Sequence, residues 1–211
     1  MKNIKKISRK GFTLIELLVV IAILAVLAVV VVLTLNPAGL LQEARDSNRI
    51  SDMASIKSAI SLYMADVTVP ALAPSSTICY VSVPTVIWSV TWASNTRTAT
   101  TTCDAWFPSA NPTVTTIMTS TPNRAVNATT GWVPVNLSSL SAGSPLAQWP
   151  IDPVNSANFF YSYIASTTTN VFKVAMFMES AKFQTSGTAD VEGTDGGSDP
   201  WVFEGGSSLS L

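Results

Sequence analysis

Glu16 is a lone acid at the mouth of the most apolar stretch in this 211-residue chain. Every residue from Leu17 to Leu33 is apolar, and no charge appears between Leu17 and Leu35. A carboxylate near the middle of a bilayer costs roughly 2.5–3.5 kcal/mol, and less at the interface. A group kept there calls for a counter-charge. On its other side stand Gly11 and Phe12, preceded by Lys2, Lys5, Lys6, Arg9 and Lys10 with no acid among them. Positive charge before an apolar segment holds that end in the cytoplasm. Glycine lets a backbone enter a protease cleft with no side chain in the way, so the processing point falls at Gly11. The plainer alternative is a glutamate that snorkels at the interface of an ordinary single-pass anchor.

The remaining chemistry is sparse. The chain has no histidine, so no Ser-His-Asp or Cys-His arrangement and no histidine base can form. Cys79 and Cys103 are its two cysteines. In an oxidising compartment they make one disulfide, closing a loop of about 25 residues and stabilising by roughly 3 kcal/mol; two buried free thiols are the alternative. Near the C-terminal end, Asp190, Glu192, Asp195 and Asp199 lie among glycines. Such oxygen ligands on a pliable backbone are candidates for Ca2+, although their spacing departs from an EF-hand and also suits a solvated acidic loop. The net charge of −1 hides an asymmetry. Beyond the basic leader stand 7 basic and 13 acidic side chains, a net −6, with Arg45, Arg49, Lys57, Arg97 and Arg124 scattered. That argues against nucleic-acid binding through a basic face.

Several elements must position these groups. The 19 uncharged residues from Leu17 to Leu35 can cross a bilayer as a helix. Asn36-Pro37-Ala38-Gly39 predicts a kink or a short unwound segment, because proline removes a donor and crowds the preceding turn. Helical spacing then resumes through Leu41, Ala44, Met53, Ile56, Ile60 and Tyr63. Asp46, Arg49 and Asp52 read there as a solvated charged face. Beyond Asp66 the composition turns to Thr, Ser, Val and Trp, with strand-like runs at Ile78–Val83 and Val86–Trp92. Trp88, Trp92, Trp106 and Trp132 read as packing aromatics rather than a carbohydrate platform. Phe159–Ala165 and Val171–Glu179 predict a hairpin with one buried face. The expected fold is α+β, a long N-terminal helix packed on a small antiparallel sheet.

Gly11-Phe12-Thr13-Leu14-Ile15-Glu16 resembles the prepilin signature of type IV pilins and type II secretion pseudopilins, with the basic leader and the apolar run on the correct sides. The resemblance implies cleavage between Gly11 and Phe12 by a membrane prepilin peptidase, and N-methylation of the new Phe12 amine. That amine would lie one helical turn from Glu16. Between staggered copies, Glu16 of one can meet the Phe12 amine of the next; the pair is strengthened in an apolar bundle, partly offset by desolvation. Trp149-Pro150-Ile151-Asp152-Pro153 is similar to a segment before the β-hairpin of major pseudopilin heads, although the glycine-aromatic continuation is replaced by Val154-Asn155-Ser156. Major pseudopilins carry a calcium-binding loop in the part of the head where the acidic segment lies.

The expected organisation is a leader over 1–11, a transmembrane and filament-core helix over 12–35, an amphipathic helix over 36–65 and an extracytoplasmic β-rich head over 66–211. The expected role is structural, with a homopolymer assembling alongside related minor pilins. A prepilin peptidase, a platform protein, an assembly ATPase and the membrane are the partners the resemblance implies. The protein would sit in the cytoplasmic membrane and then in a periplasmic or surface filament. The competing expectations are an anchored binding or adhesion module that never polymerises and, more remotely, an anchored hydrolase.

Overall fold

The computed structural model describes residues 11–76, 78–83, 90–91, 96–97, 117–121, 123–127, 130–156 and 158–211. The chain divides into two units, Met1–Leu41 and Gln42–Leu211.

In the first unit, α1 (Leu14–Leu35) is a 22-residue helix of Leu, Ile, Val and Ala apart from Glu16 and Thr34. The helix suits a bilayer because it satisfies its own backbone groups where water is absent. It ends at Asn36, which adopts a left-handed conformation (φ 40°, ψ 68°). α2 (Pro37–Asp66) begins at the next residue. Pro37 has no N–H to donate and suits a first helical position. The Asn36 side chain accepts from the Gly39 N–H at 3.3 Å, and its carbonyl accepts from Leu40. One asparagine thus closes one helix and caps the next. The expected interruption is confined to this residue.

In the second unit, α2 buries Asp46, Arg49, Met53, Ile56, Ala59, Ile60 and Tyr63. Three- and four-residue steps place them on one stripe. That stripe packs on a sheet of five strands in the order β4-β1-β5-β6-β7. The strands are β1 (Ile78–Val81), β4 (Ile117–Ser120), β5 (Ser162–Ser166), β6 (Val171–Met176) and β7 (Phe203–Gly206). β2 (Val90–Thr91) and β3 (Thr96–Arg97) pair separately as a two-stranded ribbon. The pairs β1–β5, β5–β6 and β6–β7 are antiparallel, as expected, but β4 lies parallel to β1 on the edge.

The β5–β6 hairpin forms where the alternation predicts it, and Asn170 (φ 52°) turns the chain just before β6. The expectation of one buried face needs correction. Tyr163, Ala165, Phe172, Val174 and Met176 join the core on α2, while Ser162, Ile164, Lys173 and Ala175 on the opposite face are buried as well. The segment beyond β6 folds back over that second face; Lys173 reaches Ser198, Leu209 and Leu211 there. β7, within that returning segment, is not anticipated by the alternation pattern.

Helix and sheet approach closely at Gly205, where an added Cβ would lie 2.6 Å from Met53 Sδ. Trp132 is fully buried and donates from Nε1 to Pro150 O at 2.9 Å, as a packing aromatic should. Trp88, Trp92 and Trp106 lie outside the described residues.

Candidate processing and assembly site

Residues 11–13 precede the first helix and are exposed, with Phe12 at 89%. An added Cβ on Gly11 would meet nothing within 4 Å. Packing among the described residues therefore makes no demand for glycine there. Thr13 is the N-cap of α1, in extended conformation (φ −80°, ψ 154°). Its N–H donates to Glu16 Oε2 at 2.8 Å and its hydroxyl to the same oxygen at 2.7 Å. In return, the Glu16 N–H donates to Thr13 Oγ1 at 3.3 Å. This reciprocal capping box satisfies donors that a helix start leaves unpaired, and it puts the acid at the positive end of the helix dipole.

Above this cap the apolar side chains of Leu14 to Val32 are exposed among the described residues. Exposures run from 82% at Leu14 to 48% at Val19. The helical stretch Leu14–Asp66 contains an 18-residue window of mean hydropathy 3.5, none of it buried, so it is long and apolar enough to cross a membrane. Two properties therefore meet at α1: an uncovered apolar rod and one acid at its edge.

A second polar cluster fixes α2 to the head. Arg49 is fully buried and grips Asp152 with two bonds, Nε to Oδ2 at 2.6 Å and Nη2 to Oδ1 at 3.0 Å. Its Nη1 donates to Asp46 at 2.7 Å and to Glu179 at 3.3 Å, and its guanidinium lies 4.9 Å from the Phe159 ring centre. Asp46 in turn accepts from the N–H groups of Glu179 and Ser180. Asp152 accepts from those of Val154 and Asn155. Arg45 adds a two-pronged pair with Glu179, whose carboxyl is held below its ordinary range mainly by that bond. Burial alone would lower the Arg49 pKa, but the bonds to Asp152 and Asp46 outweigh it and raise it. Asp46 and Arg49 are thus not a solvated face. They form a lock between the helix and two head loops, and it explains what Asp152 does in the Trp-Pro-x-Asp-Pro segment. The spacing of Asp46 and Arg49 gives no sign of this, because partners such as Asp152 come from distant sequence.

The four acidic candidates are engaged separately. Asp190 accepts from Ser186 and Gly193 N–H groups. Glu192 is buried and accepts from Met178 and Thr185. Asp195 accepts from Gly197 and Glu204, and Asp199 from Trp201. Among the described residues, no three or more His, Cys, Asp or Glu side chains are arranged to hold a metal ion. Burial pushes the Glu192 carboxyl up to about 7 against the pull of its two N–H donors, and Asp46 and Asp190 add repulsion. Cys79 is fully buried in β1; Cys103 lies outside the described residues. The sequence also gave no sign of the buried Lys173–Glu204 pair.

A family model described as the prokaryotic N-terminal methylation motif matches residues 6–32. No curated protein and no solved structure matches the chain. The match spans the basic residues from Lys6, Gly11, the capping box and most of α1. The start of this chain, residues 6–32, is therefore similar to the prokaryotic N-terminal methylation motif.

Proposed function

We propose that this chain is a structural subunit of a type IV pilus-like or type II secretion pseudopilus filament. The observation that carries this reading is the uncovered apolar surface of α1 with the methylation motif at its start. A rod with that surface is stable in lipid or against other copies of itself, and exposed to water it would be costly by about 25 cal/mol per Å2. A prepilin peptidase cuts between Gly11 and Phe12, and the new amine is methylated. The subunit waits in the cytoplasmic membrane with its head outside, and a platform protein and an ATPase drive it into a helical homopolymer with related minor pilins. Glu16 leaves the cap on its own Thr13 and meets the Phe12 amine of the neighbouring copy. A charge pair of this kind sets register, because slipped copies would leave both charges unpaired. Trp149 to Pro153 favours the major pseudopilin within this group. Cys79 and Cys103 form the disulfide of the head.

Two measurements test the proposal. Mass spectrometry of the mature protein should find Phe12 as its first residue, one methyl group heavier; a retained leader would overturn the reading. Glu16→Ala should leave the head folded and the protein in the membrane, while electron microscopy finds no filaments. The capping box favours a second reading, because it satisfies Glu16 within one copy as a solitary anchor requires. A non-polymerising binding or adhesion module would be mature, anchored and indifferent to Glu16→Ala.

A further inference from the structure

The acidic C-terminal segment has a cation of its own. Lys173 lies in β6, between Gly206 of β7 and Ile164 of β5. Its side chain and that of Glu204 are both completely buried. Lys173 Nζ lies 2.5 Å from Glu204 Oε1, an ion pair. Among its hydrogen bonds are those to Leu209 O at 3.0 Å, Leu211 O at 3.1 Å and Ser198 Oγ at 3.2 Å. An ammonium group has donors for such oxygens on several sides.

The acids around it brace the loop. Glu204 Oε2 accepts from the Ser198 N–H at 2.5 Å and the Asp199 N–H at 3.3 Å. Asp195 accepts from Gly197 with one oxygen and from Glu204 with the other. The approach is so close that a Cβ on Gly197 would fall on Glu204 Oε2. Side-chain and carbonyl oxygens gathered around one positive centre are how a hard metal ion organises a loop. Here the positive centre is a lysine fixed in β6.

We propose that the Lys173 ammonium is the structural cation of the 195–211 segment, filling from within the chain the place a divalent ion takes in other oxygen-lined loops. Its charge opposes entry of a second cation, so the head holds this segment without calcium. This inference does not depend on whether the protein polymerises.

The test is thermal unfolding of the full chain in detergent, with EDTA or with millimolar calcium. The wild-type midpoint should be the same in both, and Lys173→Met should lower it by at least about 6 °C, since Glu204 would be left buried without its partner. A wild-type midpoint that falls in EDTA, or rises with calcium, would overturn the proposal in favour of a metal-held loop. So would a Lys173→Met protein that melts with the wild type. Should that variant not fold, wild-type hydrogen exchange carries the test. Slow exchange at the Ser198 and Glu204 amides in EDTA supports the internal cation, and fast exchange there refutes it.

Discussion

At the scale of single residues, the acids of this head differ by what surrounds them. Arg49 is the counter-ion that Asp46 and Asp152 share without access to water. Removing one partner of such a buried set leaves charge unpaired, which costs about 3–5 kcal/mol. Arg49→Met should destabilise the head by that amount in chemical denaturation. Lys182→Met should change little, because the Lys182–Glu43 pair is partly exposed. Glu192 gives a pH dependence of opposite sign to the usual carboxylate. Its folded pKa of about 7 lies above its ordinary 4.5, so the folded state holds the proton more tightly. Stability from this group is therefore present below pH 4.5 and is lost as pH rises through 7, by roughly 3 kcal/mol in total. Glu192→Gln should remove that loss while keeping an acceptor for the Met178 N–H. The difference between wild type and variant melting points should widen from pH 5 to pH 8.

At the scale of elements, the pairing of β6 with β7 depends on close backbone approach. A Cβ at Gly206 would lie 2.1 Å from Phe172 O on the neighbouring strand. Gly206→Ala must push β6 and β7 apart, and should cost at least about 2 kcal/mol in a denaturant titration. Much of the element layout is legible in the sequence, because its signals are local. Pro37 after an uncharged run marks the end of α1, the three- and four-residue spacing marks α2, and the alternation from Phe160 and from Phe172 marks β5 and β6. The motif at Gly11, Phe12 and Glu16 is legible for the same reason, since its chemistry lies within one helical turn. The head's polar interior is not. Asp46 and Arg49 have the same spacing whether buried or wet, and Asp152 lies 103 residues further on. Lys173 looks like the polar member of an alternating strand until the chain beyond Asp190 folds over it. β7, with two glycines in its four residues, has little strand propensity of its own and exists because β6 offers it an edge.

At the scale of the whole molecule, the two units have different solvents. α1 exposes its apolar side chains, whereas the 42–211 unit encloses a core of Met53, Ile56, Ile60, Tyr163, Phe172 and Val174. A subunit extracted with detergent should therefore keep a cooperative head transition, since the head's core does not draw on α1. Gel filtration after detergent removal should show aggregation of the intact chain. Proteolytic removal of the segment before Gln42 should leave a head that stays dispersed; a head that precipitates alone would contradict this division.

The enclosure of Arg49 has a practical consequence. Dissolved ions weaken attraction between charges that water can reach, over a Debye length of about 8 Å in physiological salt, but act far less on charges sealed from it. Brine strong enough to release Lys182 from Glu43 should leave the grip of α2 on the head intact. Within the 42–211 unit, the seat of α2 on the sheet should therefore be the same from fresh water to seawater.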